Sequence, residues 1–159
     1  MKIPAKIPAK IADAFEKAKA VRLRAHAPYS GFQVGAALLA GAEVVTGCNV
    51  ENASYGGTVC AERIAIFKAV SEGSVKFSEI VVVTDAPVPA FPCAFCLQVM
   101  AEFFDSSTNV WLGDLRELKS VHKFVDLLPY PFGPKQLNDA KVASTVKASA
   151  SRVKSGKRS

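Results

Sequence analysis

No apolar run in the chain approaches the ~20 residues needed to cross a bilayer, so no membrane-spanning helix is expected. The opening stretch, MKIPAKIPAKIADAF, has neither the continuous apolar core nor the small-residue cleavage site of a secretory signal, and a cytoplasmic protein is expected. Histidine is scarce. His26 and His122 each stand alone and are read as surface or satisfied positions, not as metal ligands. The single tryptophan, Trp111, sits in a short apolar stretch and is assigned to core or interface. Cysteine is limited to Cys48, Cys60, Cys93 and Cys96, a set that in a reducing compartment points to metal binding or catalysis before disulfides. Acidic residues are absent from positions 140–159, where Lys141, Lys147, Arg152, Lys154, Lys157 and Arg158 supply six positive charges. The net charge of +6 therefore belongs to the tail. Residues 1–139 hold 14 basic and 14 acidic side chains, and a body so balanced shows no electrostatic footprint for nucleic acid.

What is present describes one folded domain. The 159 residues are half hydrophobic, enough for a single core. Residues 1–9, with the imperfect repeat KIPAKIPAK, are expected to be a loose lead-in, and residues 139–159 a basic, disordered tail. Between them, residues 10–138 read as an α/β domain. Ile11, Ala14, Phe15, Ala18 and Val21 fall on one helical stripe over residues 11–25. FQVGAALLA and EVVTGCNV read as strands of a hairpin turning at Gly41-Ala42. CAERIAIFKAVSEG is a helix capped by Gly73, SEIVVVTD a buried strand, CAFCLQVMAEFF a helix and NVWLG a short strand. LKSVHKFVDLL reads as a last helix, stopped by PYPFGP. Alternating strands and helices after a hairpin imply a mixed sheet covered by helices.

The chemistry gathers at two helix starts. Cys93 and Cys96 are three residues apart, so both thiols lie on one face of a first turn, and Pro92 suits the position before it. Cys60 also stands where a loop becomes a helix, and such ends favour thiolate over thiol. Three thiolates can hold one zinc with a position left open for water, and a carboxylate beside that water can move its proton. Glu62, two residues beyond Cys60, suits this role. Singly, each residue has a plainer reading: Cys60 as core filler, Glu62 as a first-turn acid complementing the helix dipole. A structural four-cysteine zinc recruiting Cys48 is the rival arrangement. Strand alternation opposes it, because Asn49 and Glu51 facing a polar pocket turn Cys48 and Val50 away, provided the strand stays regular to Glu51.

GCNVENASYGGTVCAERIAIFKAVSEG and PCAFCLQVMAEF, with YSGFQVGAALL before and LLPYPFGP after, resemble the small homotetrameric cytidine deaminases over roughly residues 10–138. The resemblance implies a three-layer α/β/α fold with a mixed sheet of about five strands. It implies one Zn²⁺ per subunit on Cys60, Cys93 and Cys96, with Glu62 as general acid and base. It implies a ribose grip by Asn49 and Glu51, an aromatic at Phe32 packing on the nucleoside, and backbone groups around Ala61 reading the ring edge. Ala53, Tyr55 and Phe132 correspond to residues lining a site across a subunit interface, and Arg63 to an arginine bonding the ligand sulfurs and balancing their charge. The implied reaction converts cytidine or 2′-deoxycytidine to the uracil nucleoside and ammonia in pyrimidine salvage.

The chain departs from the family's usual Pro-Cys-Gly-x-Cys-Arg-Gln at PCAFCLQ. Ala94 is harmless if the backbone there is helical, Leu97 fits the apolar stripe of its helix, and the bulk of Phe95 is expected to narrow or reshape the pocket. These departures and the basic tail keep in view a deaminase of another aminopyrimidine nucleoside or of nucleic acid, and the four cysteines keep in view a non-catalytic, four-cysteine zinc-stabilised scaffold.

Overall fold

The computed structural model describes residues 3–133 and 136. The expected tail, residues 139–159, lies outside them. The elements are helix α1 (Ala9–Arg22), strands β1 (Val34–Ala40) and β2 (Glu43–Cys48), helix α2 (Ala61–Ser71), strand β3 (Glu79–Thr84), helix α3 (Ala94–Phe103), strands β4 (Asn109–Gly113) and β5 (Leu118–Lys123), and a one-turn helix α4 (Phe124–Leu127). The five strands form one sheet in the order β2-β1-β3-β4-β5, with only the β3–β4 pair parallel.

Two-residue alternation sends the strands' side chains to opposite faces and builds two cores. Ala36, Leu38, Ile80, Val82, Val110 and Leu112 join α2 and α3 on one face. Ala37, Leu39, Val81, Val83 and Trp111 join Ile11, Ala14, Phe15 and Ala18 of α1 on the other. This is the expected three-layer α/β/α arrangement. Trp111 is core, its indole N–H donating to Glu79. Residues 3–8 form no helix or strand, yet Ile3 and Ile7 pack on the α1-side core, so that stretch is anchored there and not loose. The buried stripe of α1 ends on Arg22, which is 5% exposed, in place of Val21. Arg22 reaches across to Asp85 and donates to the carbonyl of Gln33 at 3.1 Å.

Turn chemistry is as read. Gly41 has φ 64° between Ala40 and Glu43, the positive φ that a two-residue hairpin asks of its first turn residue. Gly73, at φ 91°, ends α2 with N–H groups of Gly73 and Ser74 returned to the carbonyls of Val70 and Ala69.

The expected last helix is a correction. LKSVHK is an edge strand, and only FVDL is helical. Leu112 pairs with Ser120 but Gly113 with Leu118, a register shift that leaves Lys119 as the extra residue. That bulge lets Leu118 and Val121 pack on the same core despite their odd spacing. An i, i+3 apolar pair usually marks a helix; here a bulged strand produces it.

Gly47 sets the distance between β2 and α2. A Cβ there would meet the backbone of α2, Ala61 O and Ala65 N, each at 2.5 Å. Gly47→Ala is expected to cost about 1–3 kcal/mol, read from the urea midpoint, because backbone on both sides leaves no side chain to yield.

Candidate active site

The loop-to-helix junctions of α2 and α3 lie side by side, and the residues that end the loops are cysteines. Cys60 is the N-cap of α2 and Cys93 the N-cap of α3, both with extended backbone. Cys96 follows one turn into α3 and is fully buried. Cys60 Sγ lies 3.9 Å from Cys93 Sγ, which lies 3.6 Å from Cys96 Sγ, and all three fall within 4.8 Å of one another. Tetrahedral zinc with Zn–S of about 2.3 Å separates its sulfurs by about 3.8 Å, so the three thiols are spaced as zinc ligands are. Cys48, half-buried at the end of β2, is outside this cluster.

The local field favours the thiolate at Cys60. Cys60 is pulled down to about 5, chiefly by a hydrogen bond from Cys96 and, against the effect of burial, by bonds from Arg63 and Cys93. Cys96 is correspondingly pushed up, as the donor to Cys60 and by burial. The N-termini of α2 and α3 both begin at this cluster, because Cys60 and Cys93 are their N-caps. Glu62, the second residue of α2, is 5% exposed, and its carboxyl is raised to about 7, chiefly by burial.

A pocket of about 260 Å³ opens over these groups. Of the residues singled out in the sequence, Phe32, Asn49, Glu51, Cys60, Glu62 and Cys93 line it. Although β2 ends at Cys48, its alternation persists: Asn49 and Glu51 face the pocket while Val50 forms lone bridges with His26 and Val59. Asn49 is committed to the adjoining loop, accepting from the Val34 N–H and donating to the Phe32 carbonyl, each at 2.8 Å. Glu51 accepts from the Ser30 hydroxyl and the Tyr29 N–H, which hold its carboxyl below the usual range. Both residues thus brace the loop that presents Phe32.

Tyr55 lies in an adjacent hollow with Tyr29, their rings edge to face at 6.0 Å. Ala53, Tyr55 and Phe132 do not line the thiol pocket of their own chain, and all three are exposed. Gln98, on α3, donates to the Phe132 carbonyl at 2.5 Å. Ala61 is fully buried beneath Gly47 and adds no side chain to the pocket. Ser30, Ala90 and Phe91 line it without having been foreseen. Phe91 rests edge-on against His122, at 5.0 Å between ring centroids, and the His122 ring is 3.0 Å from the Ser120 hydroxyl. Neither histidine joins the thiol cluster. Ala94 opens α3 and no non-glycine residue has positive φ among the described residues, so replacing the family's glycine costs nothing there. Leu97 packs on the core beside α3, as its stripe predicted.

The family model for the cytidine and deoxycytidylate deaminase zinc-binding region matches residues 8–111, which contain all three clustered thiols. The chain belongs to this deaminase family. A cytidine deaminase of Halalkalibacterium halodurans is 49% identical over 116 residues, covering 72% of this chain and 88% of that protein. A probable cytidine deaminase of Dictyostelium discoideum is 47% identical over 116 residues, 71% of this chain and 77% of that one. The crystal structure of cytidine deaminase from Burkholderia pseudomallei matches with a TM-score of 0.73 at 44% identity, over 76% of this chain and 98% of that chain. A zinc-binding deaminase family and three thiols at zinc-ligand spacing agree on one zinc ion as the cofactor. No helix among the described residues is long and apolar enough to cross a membrane.

Proposed function

We propose that this deaminase hydrolyses cytidine and 2′-deoxycytidine to uridine and 2′-deoxyuridine, with release of ammonia. The observation that carries the reading is a cluster of three thiols, two of which line one pocket together with a buried carboxyl, an amide and a second carboxylate. Cys60, Cys93 and Cys96 would hold zinc, which supplies the Lewis acidity that makes a water reactive at neutral pH. Glu62 would take a proton from that water as its oxygen adds to C4 of the cytosine ring, deliver it to N3, and then carry the proton of the added hydroxyl to the amine, so that the C4–N bond breaks, ammonia leaves and the C4 carbonyl forms. A carboxyl held near 7 can do both, being able to lose and regain a proton at working pH. Asn49 and Glu51 grip the ribose 3′-hydroxyl, and Phe32 packs on the nucleoside. Backbone at Ala61 reads the ring edge. Arg63 offsets the excess negative charge of three thiolates on a divalent ion.

The oligomer belongs to the same reading. Tyr55 and Phe132 are 76% and 58% exposed and line no part of their own thiol pocket. In a homotetramer with shared sites, they and Ala53 would complete a neighbour's pocket. Residues 10–138 form the catalytic domain and residues 1–9 its lead-in, with residues 139–159 a basic tail not needed for nucleoside turnover. Free thiols serving as metal ligands suit the reducing cytoplasm, where nucleoside salvage operates.

One experiment tests this directly. Zinc-loaded protein, with and without residues 140–159, is incubated with a panel of free nucleosides and a cytosine-bearing oligonucleotide. Loss of cytosine absorbance is expected for cytidine and deoxycytidine, equally in both proteins. Turnover of the oligonucleotide alone, lost with the tail, would overturn the reading in favour of a polynucleotide deaminase.

A further inference from the structure

Arg63 faces a constraint that its position on α2 does not meet alone. To balance the thiolates it must stay beside them and keep its charge. Its Nη2 donates to Cys60 Sγ at 3.7 Å and to the Thr58 carbonyl at 2.8 Å. Its Nε is buried and has no hydrogen-bond partner. Among the described residues no carboxylate forms an ion pair with it. A carboxylate would hold the guanidinium but would also return the centre to a net negative charge. What faces the cation instead is an aromatic ring: the guanidinium carbon lies 5.9 Å from the centroid of Phe95.

We propose that Phe95 is a positioning residue, a neutral clamp that holds Arg63 against Cys60 through its ring face without cancelling the charge. A ring's quadrupole attracts a cation while adding no formal charge. The sequence places it for this task. Phe95 is the second residue of α3, between Cys93 and Cys96, so it rises from the same first turn that carries two of the thiols. Core packing does not account for it, since the side chain is 74% exposed. The bulky residue in PCAFC thus acts on the zinc centre through Arg63.

The inference rests on the reading that the three thiols hold zinc, and its test separates the two. The measurement is the rate at which the zinc-loaded protein gives up its metal to an excess of chromophoric chelator, with melting temperature and sedimenting mass taken alongside. Phe95→Leu, which keeps bulk and loses the ring, is expected to release zinc about 2- to 5-fold faster, the range of an exposed cation–π contact, at unchanged mass and melting temperature. Phe95→Trp is expected to match or slow the wild-type rate. In an Arg63→Gln background, already faster than wild type, Phe95→Leu is expected to add nothing. A wild-type rate in Phe95→Leu overturns the clamp. So does an effect of Phe95→Leu that persists undiminished beside Arg63→Gln, or one that accompanies a change in sedimenting mass. Retention of zinc by Cys93→Ser would instead defeat the ligand assignment beneath it.

Discussion

Glu62→Gln is expected to lower kcat by about 10²- to 10⁴-fold, the usual contribution of a general acid or base, while zinc content stays at one per chain. The substitution is nearly isosteric and keeps a donor and an acceptor, but an amide cannot take and return a proton. A second consequence separates this role from the ordinary one of a first-turn acid. A Glu that merely complemented the dipole of α2 would, on becoming Gln, cost the fold about 0.3–1 kcal/mol. Glu62 is buried, and its carboxyl stands at about 7 in the folded chain against an ordinary 4.5. Between those values the folded state binds more protons than the unfolded state, so stability falls as pH rises through that window. The loss is complete above about pH 7 and absent below about pH 4.5, and its ceiling is on the order of 3 kcal/mol. In zinc-free protein, Glu62→Gln is therefore expected to match wild type near pH 4.5 and to exceed it in stability at pH 8, as read by urea unfolding. A residue whose replacement stabilises the fold and abolishes turnover is retained for function. Full activity in Glu62→Gln would remove Glu62 from the proton-transfer role, and a lower stability at pH 8 would overturn the raised carboxyl.

The parts of this site that were legible in the sequence are those fixed by local rules. Cysteine at the residue before a helical stripe became an N-cap twice, because the loop-to-helix transition leaves that residue extended. Period-two alternation placed Asn49 and Glu51 together even past the end of β2. What stayed hidden depended on neighbours distant in sequence. The bulge at Lys119 gave an edge strand a helical spacing. Phe91, in a proline-rich loop with no period, lines the pocket and rests edge-on against His122 of β5, a contact between segments about 30 residues apart. Arg63 and Phe95 sit on separate helices, and although the shared thiols brought the two helix starts together, nothing in either segment announces that this ring faces that guanidinium. The PCAFC departure could be seen in the sequence, but its effect on a cation 32 positions earlier could not.

Cys93→Ser is expected to empty the metal centre while leaving the fold in place, and it is the cleaner of the possible ligand substitutions. Cys96 is fully buried in the core under α2 and α3, so Cys96→Ser would bury a hydroxyl there as well as remove a ligand, mixing two effects. Cys93 is exposed, caps α3 with no side-chain hydrogen bond to the helix, and contributes nothing to the core. A serine there is itself a favoured N-cap, so α3 should start as before. The loss in zinc affinity should exceed about 100-fold, the upper end for residues that only support a ligand, and zinc per chain should fall toward zero after dialysis. Turnover falls with it. Added zinc raises the melting temperature of wild-type protein, because binding to the folded state alone stabilises it, and should leave Cys93→Ser unmoved. Cys48→Ser supplies the contrast. Its thiol lies outside the cluster, so one zinc per chain and wild-type turnover are expected. Loss of zinc and folding in Cys48→Ser would instead establish a four-thiolate structural centre. A fourth thiolate would close the position that hydrolysis requires open, and a centre of that kind would not deaminate anything.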